Sequence, residues 1–342
     1  MRLVDPLGID VEPGLPDGVR VERVTINALP RLPRADGAGG LGQLLQRLEP
    51  DVVHAHYVRG PGWLAARAGI HPLVVTPWGS DLLRTPWWGV RTRLWNRFAL
   101  RSADLVTVSS EGMRHAARKA GAGEVELVNH GVDTAHFSPG HRDRALAARL
   151  GADGGPIIVS PRTIRPLYRH EVVVDAVAAI GSTDRRPLLV MSARGADPGT
   201  LAAVRDRAAT RGIGDRLRIL DDISHDELPG ILRLADVVVS VPETDSFPLT
   251  VLEAMACAVP IVVSDLAAVT PIISPLDPLM PELVVGVGDV SGTAMALDRA
   301  LRLTDAERAR LGGSLRSFVE RTADYDTNMA HMESLYRRLA SR

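Results

Sequence analysis

The sequence predicts an α/β protein of two domains, each with a parallel sheet covered by helices. Three observations predict this fold class. The chain has 342 residues, and a domain commonly takes about 150. Short apolar runs alternate with amphipathic stretches along most of the chain, which is the pattern of strands joined by crossover helices. The periodicity stops between residues 129 and 140, where turn residues cluster.

Eight apolar runs predict buried strands, because each is followed by small or polar residues and then by an amphipathic stretch. They are residues 51–56, 72–76, 104–108, 156–160, 187–191, 216–220, 236–240 and 260–264. We place the N-terminal domain at residues 1–138 and the C-terminal domain at residues 139–322. Residues 323–342 carry apolar side chains at helical spacing, and we expect this helix to pack back on the N-terminal domain.

The first 40 residues fit the pattern poorly. They are rich in Pro and Gly and contain one plausible strand, at residues 20–26. A doubly wound domain opens with a strand, a Gly-containing turn and a helix, so we expect this first unit to be missing. Either the true start lies upstream of Met1 or the chain is a decayed copy.

The composition excludes several classes of protein. Charge is nearly balanced, with 40 Lys and Arg against 41 Asp and Glu, so nothing indicates a nucleic-acid partner. The single cysteine, Cys257, excludes an intrachain disulfide and a cysteine-rich zinc site. The single lysine, Lys119, lies in a polar stretch, which argues against a phosphate-binding Gly-Lys loop and a Schiff-base enzyme. With no membrane-spanning apolar run and no signal pattern, we expect a cytoplasmic protein.

The segment 242–257 carries the densest chemical signal. A strand ends at Ser240, a polar loop follows, and a helix begins near Pro248. Free backbone N–H groups at such a helix start bind anions such as a diphosphate. Asp245 and Glu253 flank this site, which suits a nucleotide sugar because that ligand has hydroxyls on both sides of its phosphates. The alternative is that Asp245 only caps the helix and Glu253 is solvated.

This segment resembles the acidic motif of retaining GT-B glycosyltransferases, in particular glycosyltransferase family 4. The resemblance covers about residues 45 to 322 and rests on further motifs. These are His54-Ala55-His56, Trp78-Gly79-Ser80-Asp81, Asn129-His130-Gly131-Val132-Asp133 with Phe137, Ser160-Pro161-Arg162, and Glu253-Ala254-Met255-Ala256-Cys257 before Val259-Pro260. It implies two Rossmann-like domains facing a cleft. It also implies retaining transfer from a nucleotide-sugar donor to a glycan, lipid-linked or small-molecule acceptor, without a metal or other cofactor.

The resemblance also implies roles for single residues. Asp245 would face the donor sugar, and Arg162 would neutralise the leaving diphosphate. The family's second cation is a lysine, which Tyr168 replaces here, so Arg169 or Arg165 would supply that charge. The remaining implied donor-binding residues are Glu253, Ser246, Phe247, Leu249, Thr250, Ile223 and Tyr168. On the acceptor side the implied residues are Trp78, Gly79 and His56, where Trp78 replaces a histidine of many relatives and is otherwise a core residue.

The sequence leaves further interpretations to weigh. Residues 87–101 form a basic, aromatic helix that could make a peripheral contact with the inner face of the membrane; the simpler interpretation is a half-buried helix with solvated arginines. His54 and His56 lack a carboxylate at ligand spacing, so we do not predict a metal site. A non-catalytic or decayed relative that binds a nucleotide or a partner is the alternative function. A dehydrogenase is disfavoured because no Gly-x-Gly-x-x-Gly follows a predicted strand.

Overall fold

The computed structural model describes residues 2–5, 20–23, 35–83, 89–180, 186–221, 223–245 and 247–342. These residues form two compact units. Unit 1 comprises the chain up to Val128 together with His331–Arg342, and unit 2 comprises Asn129–Ala330. The division lies at the start of the turn-rich segment 129–140, ten residues before the boundary that we placed after residue 138.

Unit 1 contains two parallel sheets. The first pairs β1 (Arg2–Asp5) with β2 (Arg20–Arg23). The expectation of a single strand in the first 40 residues is therefore wrong, because β1 is a second one; most of this segment lies outside the described residues. The second sheet has four strands in chain order, β3 (Val53–His56), β4 (Leu73–Thr76), β5 (Leu105–Val108) and β6 (Val125–Leu127). The helices up to β6 are α1 (Ala35–Leu48), α2 (Trp63–Ala68), α3 (Ser80–Leu83), α4 (Val90–Ser102) and α5 (Glu111–Lys119).

Unit 2 contains a six-stranded parallel sheet in the order β12-β11-β10-β7-β8-β9. Its strands are β7 (Ile157–Thr163), β8 (Leu188–Ser192), β9 (Leu217–Leu220), β10 (Val237–Ser240), β11 (Ile261–Ser264) and β12 (Val284–Val285). Its helices are α6 (Arg144–Arg149), α7 (His170–Ala179), α8 (Pro198–Thr210), α9 (Leu228–Leu234), α10 (Leu249–Ala256), α11 (Thr270–Ile273), α12 (Val290–Leu301) and α13 (Asp305–Thr322). A last helix, α14 (Tyr325–Ala340), begins in unit 2 and ends in unit 1.

All eight predicted strands are present, and their composition explains why they form a parallel sheet. In β4, β5, β8, β10 and β11 every residue is buried. Parallel strands covered by helices on both faces consist of such continuous apolar runs. The strands β6 and β12, with three and two residues, were not predicted because they are too short for a pattern.

The last residues of the chain complete the core of unit 1. Leu335 and Leu339 of α14 pack against Val74, Leu105 and Val128. Arg338 forms an ion pair with Glu124 at the edge of the same contact. Across the described part of the chain, no helix is both long and apolar enough to span a bilayer.

Candidate functional site

The strand order of unit 2 creates a topological switch point between β7 and β10. From β7 the chain proceeds to β8 and β9 on one side, then returns to place β10 on the other side of β7. The crossovers from neighbouring strands therefore diverge at the carboxyl ends of β7 and β10, and open α/β sheets bind ligands at such a switch point. Arg162 lies at the end of β7 and Asp245 in the loop that follows β10, so this topology brings the two together.

Arg162 is held by three contacts at the switch point. Its Nη2 donates to Oδ2 of Asp245 at 2.7 Å, and the two side chains are only 14% and 15% exposed. Its Nη1 lies 3.5 Å from Oγ1 of Thr250, in the first turn of α10. Its Cζ lies 4.1 Å from the centre of the Tyr168 ring, a cation–π distance. The guanidinium is thus a fixed positive charge, positioned before any ligand arrives.

The helix α10 begins where the sequence predicted and presents an uncapped N-terminus beside Arg162. Pro248 occupies the N-cap position and provides no side-chain cap for the first turn. Thr250 is partly buried, Leu249 is exposed, and Phe247 is buried with its ring near Phe318. The backbone of Phe247 and Leu249 therefore belongs to a helix start of the kind that binds anions. Ser246 lies outside the described residues.

Glu253 is a buried carboxyl group in α10, which contradicts the alternative of a solvated side chain. It is 5% exposed, and none of the described residues donates a hydrogen bond to its buried Oε2. Desolvation raises the pKa of Glu253 to about 7, although the charges of Arg162 and His136 act in the opposite direction. A buried acceptor without a donor costs free energy, so this oxygen is suited to accept a hydrogen bond from a ligand hydroxyl.

In unit 2, Ile223 lines a cavity, whereas Arg169 lies beside a carboxylate. Ile223 is buried and lines a cavity of about 240 Å³ with residues that include Leu146 and Ile231. Arg169 has a left-handed backbone with φ of 52°, and its Nε lies 3.5 Å from Oε1 of Glu171. Its guanidinium is also close to the backbone of Gly288. Arg169 therefore has a carboxylate beside it, and its role as the second cation stays a prediction.

At the carboxyl ends of the unit 1 strands, aromatic side chains stack on one another. The Trp78 ring stacks on Tyr57 at 5.9 Å, and its Nε1 donates to Nδ1 of His56 at 3.3 Å. Trp78 is 41% and Tyr57 47% exposed, so Trp78 is not the core residue that the alternative required. Desolvation lowers the pKa of His56, which keeps the ring neutral and able to accept from Trp78. Gly79, next to Trp78, has φ of 117°.

Asp81, a buried carboxylate to which the sequence assigned no role, positions this cluster. Its Oδ2 accepts from the backbone N–H of Val58 at 2.8 Å, and its Oδ1 accepts from that of Trp78 at 2.9 Å. Asp81 is buried, and desolvation raises its pKa despite these bonds. It therefore joins the loop after β3 to the loop after β4. The signal that could have revealed it is a charged residue between the glycine and the apolar pair of Trp78-Gly79-Ser80-Asp81-Leu82-Leu83.

His54 serves the packing of α14. Its Nε2 lies 2.6 Å from Oγ1 of Thr76, its Nδ1 lies 2.5 Å from the Tyr336 hydroxyl, and its ring stacks on His56. The Thr76 hydroxyl is in turn hydrogen bonded to that of Thr107. Among the described residues, no group of three or more His, Cys, Asp or Glu is placed to hold a metal ion.

Comparisons with known protein families match both halves of the chain. The family described as Glycosyltransferase Family 4 matches residues 5–136, and the family described as Glycosyl transferases group 1 matches residues 142–313. The chain is 30% identical over 284 residues to a D-inositol 3-phosphate glycosyltransferase of Jonesia denitrificans, covering 74% of this chain and 67% of that protein. The enzyme of the same name from Mycolicibacterium gilvum is 31% identical over 229 residues, covering 62% and 50%. The matches thus span between half and two thirds of these relatives.

Solved structures share the fold of this chain. A sucrose-phosphate synthase of Thermosynechococcus elongatus aligns with a TM-score of 0.79 at 21% identity, covering 99% of this chain and 88% of that one. The Anabaena protein HepE in complex with UDP-glucose aligns with a TM-score of 0.77 at 18% identity, covering 92% and 85%. At these identities the likeness establishes the fold, and it confirms the GT-B class that the sequence predicted.

Proposed function

The chain belongs to the group 1 glycosyltransferase family, and from this premise we propose that it transfers a sugar from a nucleotide-sugar donor to an acceptor hydroxyl. The observation that carries the proposal is the fixed cation at the switch point of unit 2. Arg162 is held by Asp245 and Tyr168 beside the uncapped start of α10. A diphosphate leaving group needs positive charge at that place, both in the ground state and as the bond to the sugar breaks.

We assign the donor as follows. The buried Oε2 of Glu253 accepts a hydrogen bond from a ribose hydroxyl, which supplies the donor that none of the described residues provides. The backbone N–H groups at the start of α10, around Phe247, Leu249 and Thr250, bind the diphosphate together with Arg162. Ile223 lies beside the nucleobase. When the diphosphate replaces the Asp245 carboxylate as the partner of Arg162, that carboxylate is free to face the sugar.

We propose retention of configuration without a metal ion. The bond between C1 of the sugar and the diphosphate oxygen breaks, and the bond from C1 to the acceptor oxygen forms on the same face. The proton of the acceptor hydroxyl passes to the departing phosphate oxygen, so no side chain is required as a base. Arg162, Arg169 and the helix N-terminus supply the positive potential. The nucleotide sugar is a co-substrate, and no further cofactor is needed.

The acceptor site belongs, in this proposal, to unit 1. The exposed faces of Trp78 and Tyr57, with His56 beside them, suit an acceptor with a ring that stacks on aromatic side chains. A glycan, the sugar of a lipid-linked acceptor or a small ring compound such as an inositol phosphate has this form. Similar proteins are named for inositol phosphate. We propose a cytoplasmic location for the reaction.

Thermal unfolding with a panel of nucleotide sugars tests the proposal. A ligand at 100 times its dissociation constant stabilises the native state by about 2.7 kcal/mol. We expect one series among the UDP-, GDP-, ADP- and dTDP-sugars to raise the melting temperature, and Glu253→Ala to abolish the shift. Glu333→Ala, in an exposed part of α14, is the matched control and retains it. If no nucleotide sugar raises the melting temperature, the non-catalytic alternative replaces the proposal.

A further inference from the structure

The outer face of α4 in unit 1 combines apolar and basic side chains. Val90, Leu94 and Phe98 follow one another at intervals of four residues and are 69%, 60% and 43% exposed. At 100° per residue they form one stripe along the helix. Isolated exposed apolar residues are common on protein surfaces, but a continuous apolar stripe indicates an interaction surface.

The arginines of α4 surround this stripe. Arg91, Arg93, Arg97 and Arg101 are all exposed, and residues 89–103 contain no carboxylate. Among the described residues, none of the four forms an ion pair. The aliphatic stems of Arg97 and Arg101 pass close to Gly121. Four positive charges are thus concentrated on one face, although the whole chain has a net charge of −1.

The opposite face of α4 is buried in unit 1, so the exposed apolar stripe is a second, outer face of the helix. Thr92, Asn96, Ala99 and Leu100 are buried. Trp95 is partly buried, and its ring packs on Trp63 with 5.9 Å between the ring centres. Trp87 and Trp88 lie outside the described residues. The apolar stripe therefore consists of aliphatic side chains and one phenyl ring, and it is directed away from the core of unit 1.

We propose that the outer face of α4, defined as Val90, Leu94 and Phe98 with Arg91, Arg93, Arg97 and Arg101, binds the surface of an anionic lipid bilayer. The apolar side chains enter the boundary between headgroups and acyl chains, and the guanidinium groups contact the lipid phosphates. Charge complementarity favours an anionic bilayer as the partner of this arginine-rich face. A second copy of the chain would oppose arginine to arginine across a twofold interface.

Co-sedimentation of the full chain with lipid vesicles tests this surface. The probes are vesicles of phosphatidylcholine and of phosphatidylcholine mixed with phosphatidylglycerol. We expect binding to the mixed vesicles, weaker binding when salt is added, and little binding to pure phosphatidylcholine. Arg93→Gln with Arg97→Gln reduces the partition constant by about fivefold for each arginine removed. Leu94→Gln with Phe98→Gln reduces it by roughly tenfold or more at the same charge.

A matched control separates this surface from general effects. Arg205→Gln in α8 and Met295→Gln in α12 remove an exposed arginine and an exposed apolar side chain elsewhere, and we expect them to bind vesicles as the unchanged chain does. Equal binding to both kinds of vesicle, or unchanged binding of the two α4 variants, overturns the proposal. Sedimentation velocity provides the other decisive result. A dimer that is lost in Leu94→Gln with Phe98→Gln assigns the face to a second copy and overturns the lipid proposal.

Discussion

At the switch point of unit 2, charged side chains hold one another, whereas at the corresponding strand ends of unit 1 aromatic rings stack on one another. Arg162 and Asp245 neutralise each other beside the buried Glu253. Trp78 and Tyr57 are instead exposed rings positioned by the carboxylate of Asp81 below them. The difference suits the two partners that we propose, since a diphosphate needs fixed charge and a ring-shaped acceptor needs an apolar face.

Removing the fixed charge has the largest expected effect. Arg162→Ala lowers the rate of transfer by about 10²- to 10³-fold, the usual cost of losing one preorganised group that stabilises developing charge. The rate is measured with the nucleotide sugar that stabilises the unchanged chain. Arg205→Ala removes an exposed arginine from α8 and serves as the matched control, with no change in rate. A loss below tenfold in Arg162→Ala would place the leaving-group charge elsewhere.

The buried Glu253 makes stability depend on pH. Its folded pKa of about 7 lies above the ordinary 4.5, so below pH 4.5 both states bind the proton and no penalty arises. Between pH 4.5 and about 7 the unfolded state ionises Glu253 while the native state keeps it protonated, so the free energy of unfolding falls by about 3 kcal/mol and then levels off above pH 7. Denaturant unfolding between pH 5 and pH 8 measures this decline.

Glu253→Gln removes the titrating group and should flatten the decline over that range, whereas Glu333→Gln at an exposed site should keep it. Equal pH profiles for the unchanged chain and Glu253→Gln would show that Glu253 ionises normally in the native state.

The aromatic cluster of unit 1 is expected to act on the acceptor alone. Trp78→Ala or Tyr57→Ala raises the acceptor KM by about tenfold, because each removes roughly 1–1.5 kcal/mol of ring contact. The Kd of the nucleoside diphosphate, measured by calorimetry, stays unchanged. An equal weakening of both ligands would mean that these variants disturb the fold, and Trp78→Phe, which keeps a ring, distinguishes this by restoring the KM.

The smallest expected effect has the opposite sign. Asp245→Asn frees Arg162 from its neutralising partner, so we expect the nucleoside diphosphate to bind about fivefold more tightly. Transfer slows at the same time, because the carboxylate that faces the sugar is lost. Calorimetry gives the affinity, and weaker binding in Asp245→Asn would show that the carboxylate does not compete with the phosphates for Arg162.

The strands and the start of α10 could be predicted from local sequence patterns. Buried parallel strands such as β10 are continuous apolar runs, and the spacing of Asp245 and Glu253 follows from a helix start after a strand. Contacts between distant loops left no such pattern. The pairing of Arg162 with Asp245 joins residues 83 positions apart, and the role of Asp81 depends on how two loops fold over their strands. The N-terminal strand β1 was missed because Pro and Gly dominate the residues around it.

The position of Leu335 and Leu339 in the core of unit 1 has a consequence for synthesis on the ribosome. Unit 2 is one continuous stretch, whereas unit 1 is closed by residues 331–342, which are translated after all of unit 2. At 5 to 20 residues per second, Val74 and Leu105 wait roughly 10 to 40 s for their covering helix after β6 has been made. The first unit to be translated is therefore the last that can be completed, and its uncovered apolar face is the surface on which a chaperone would act during translation.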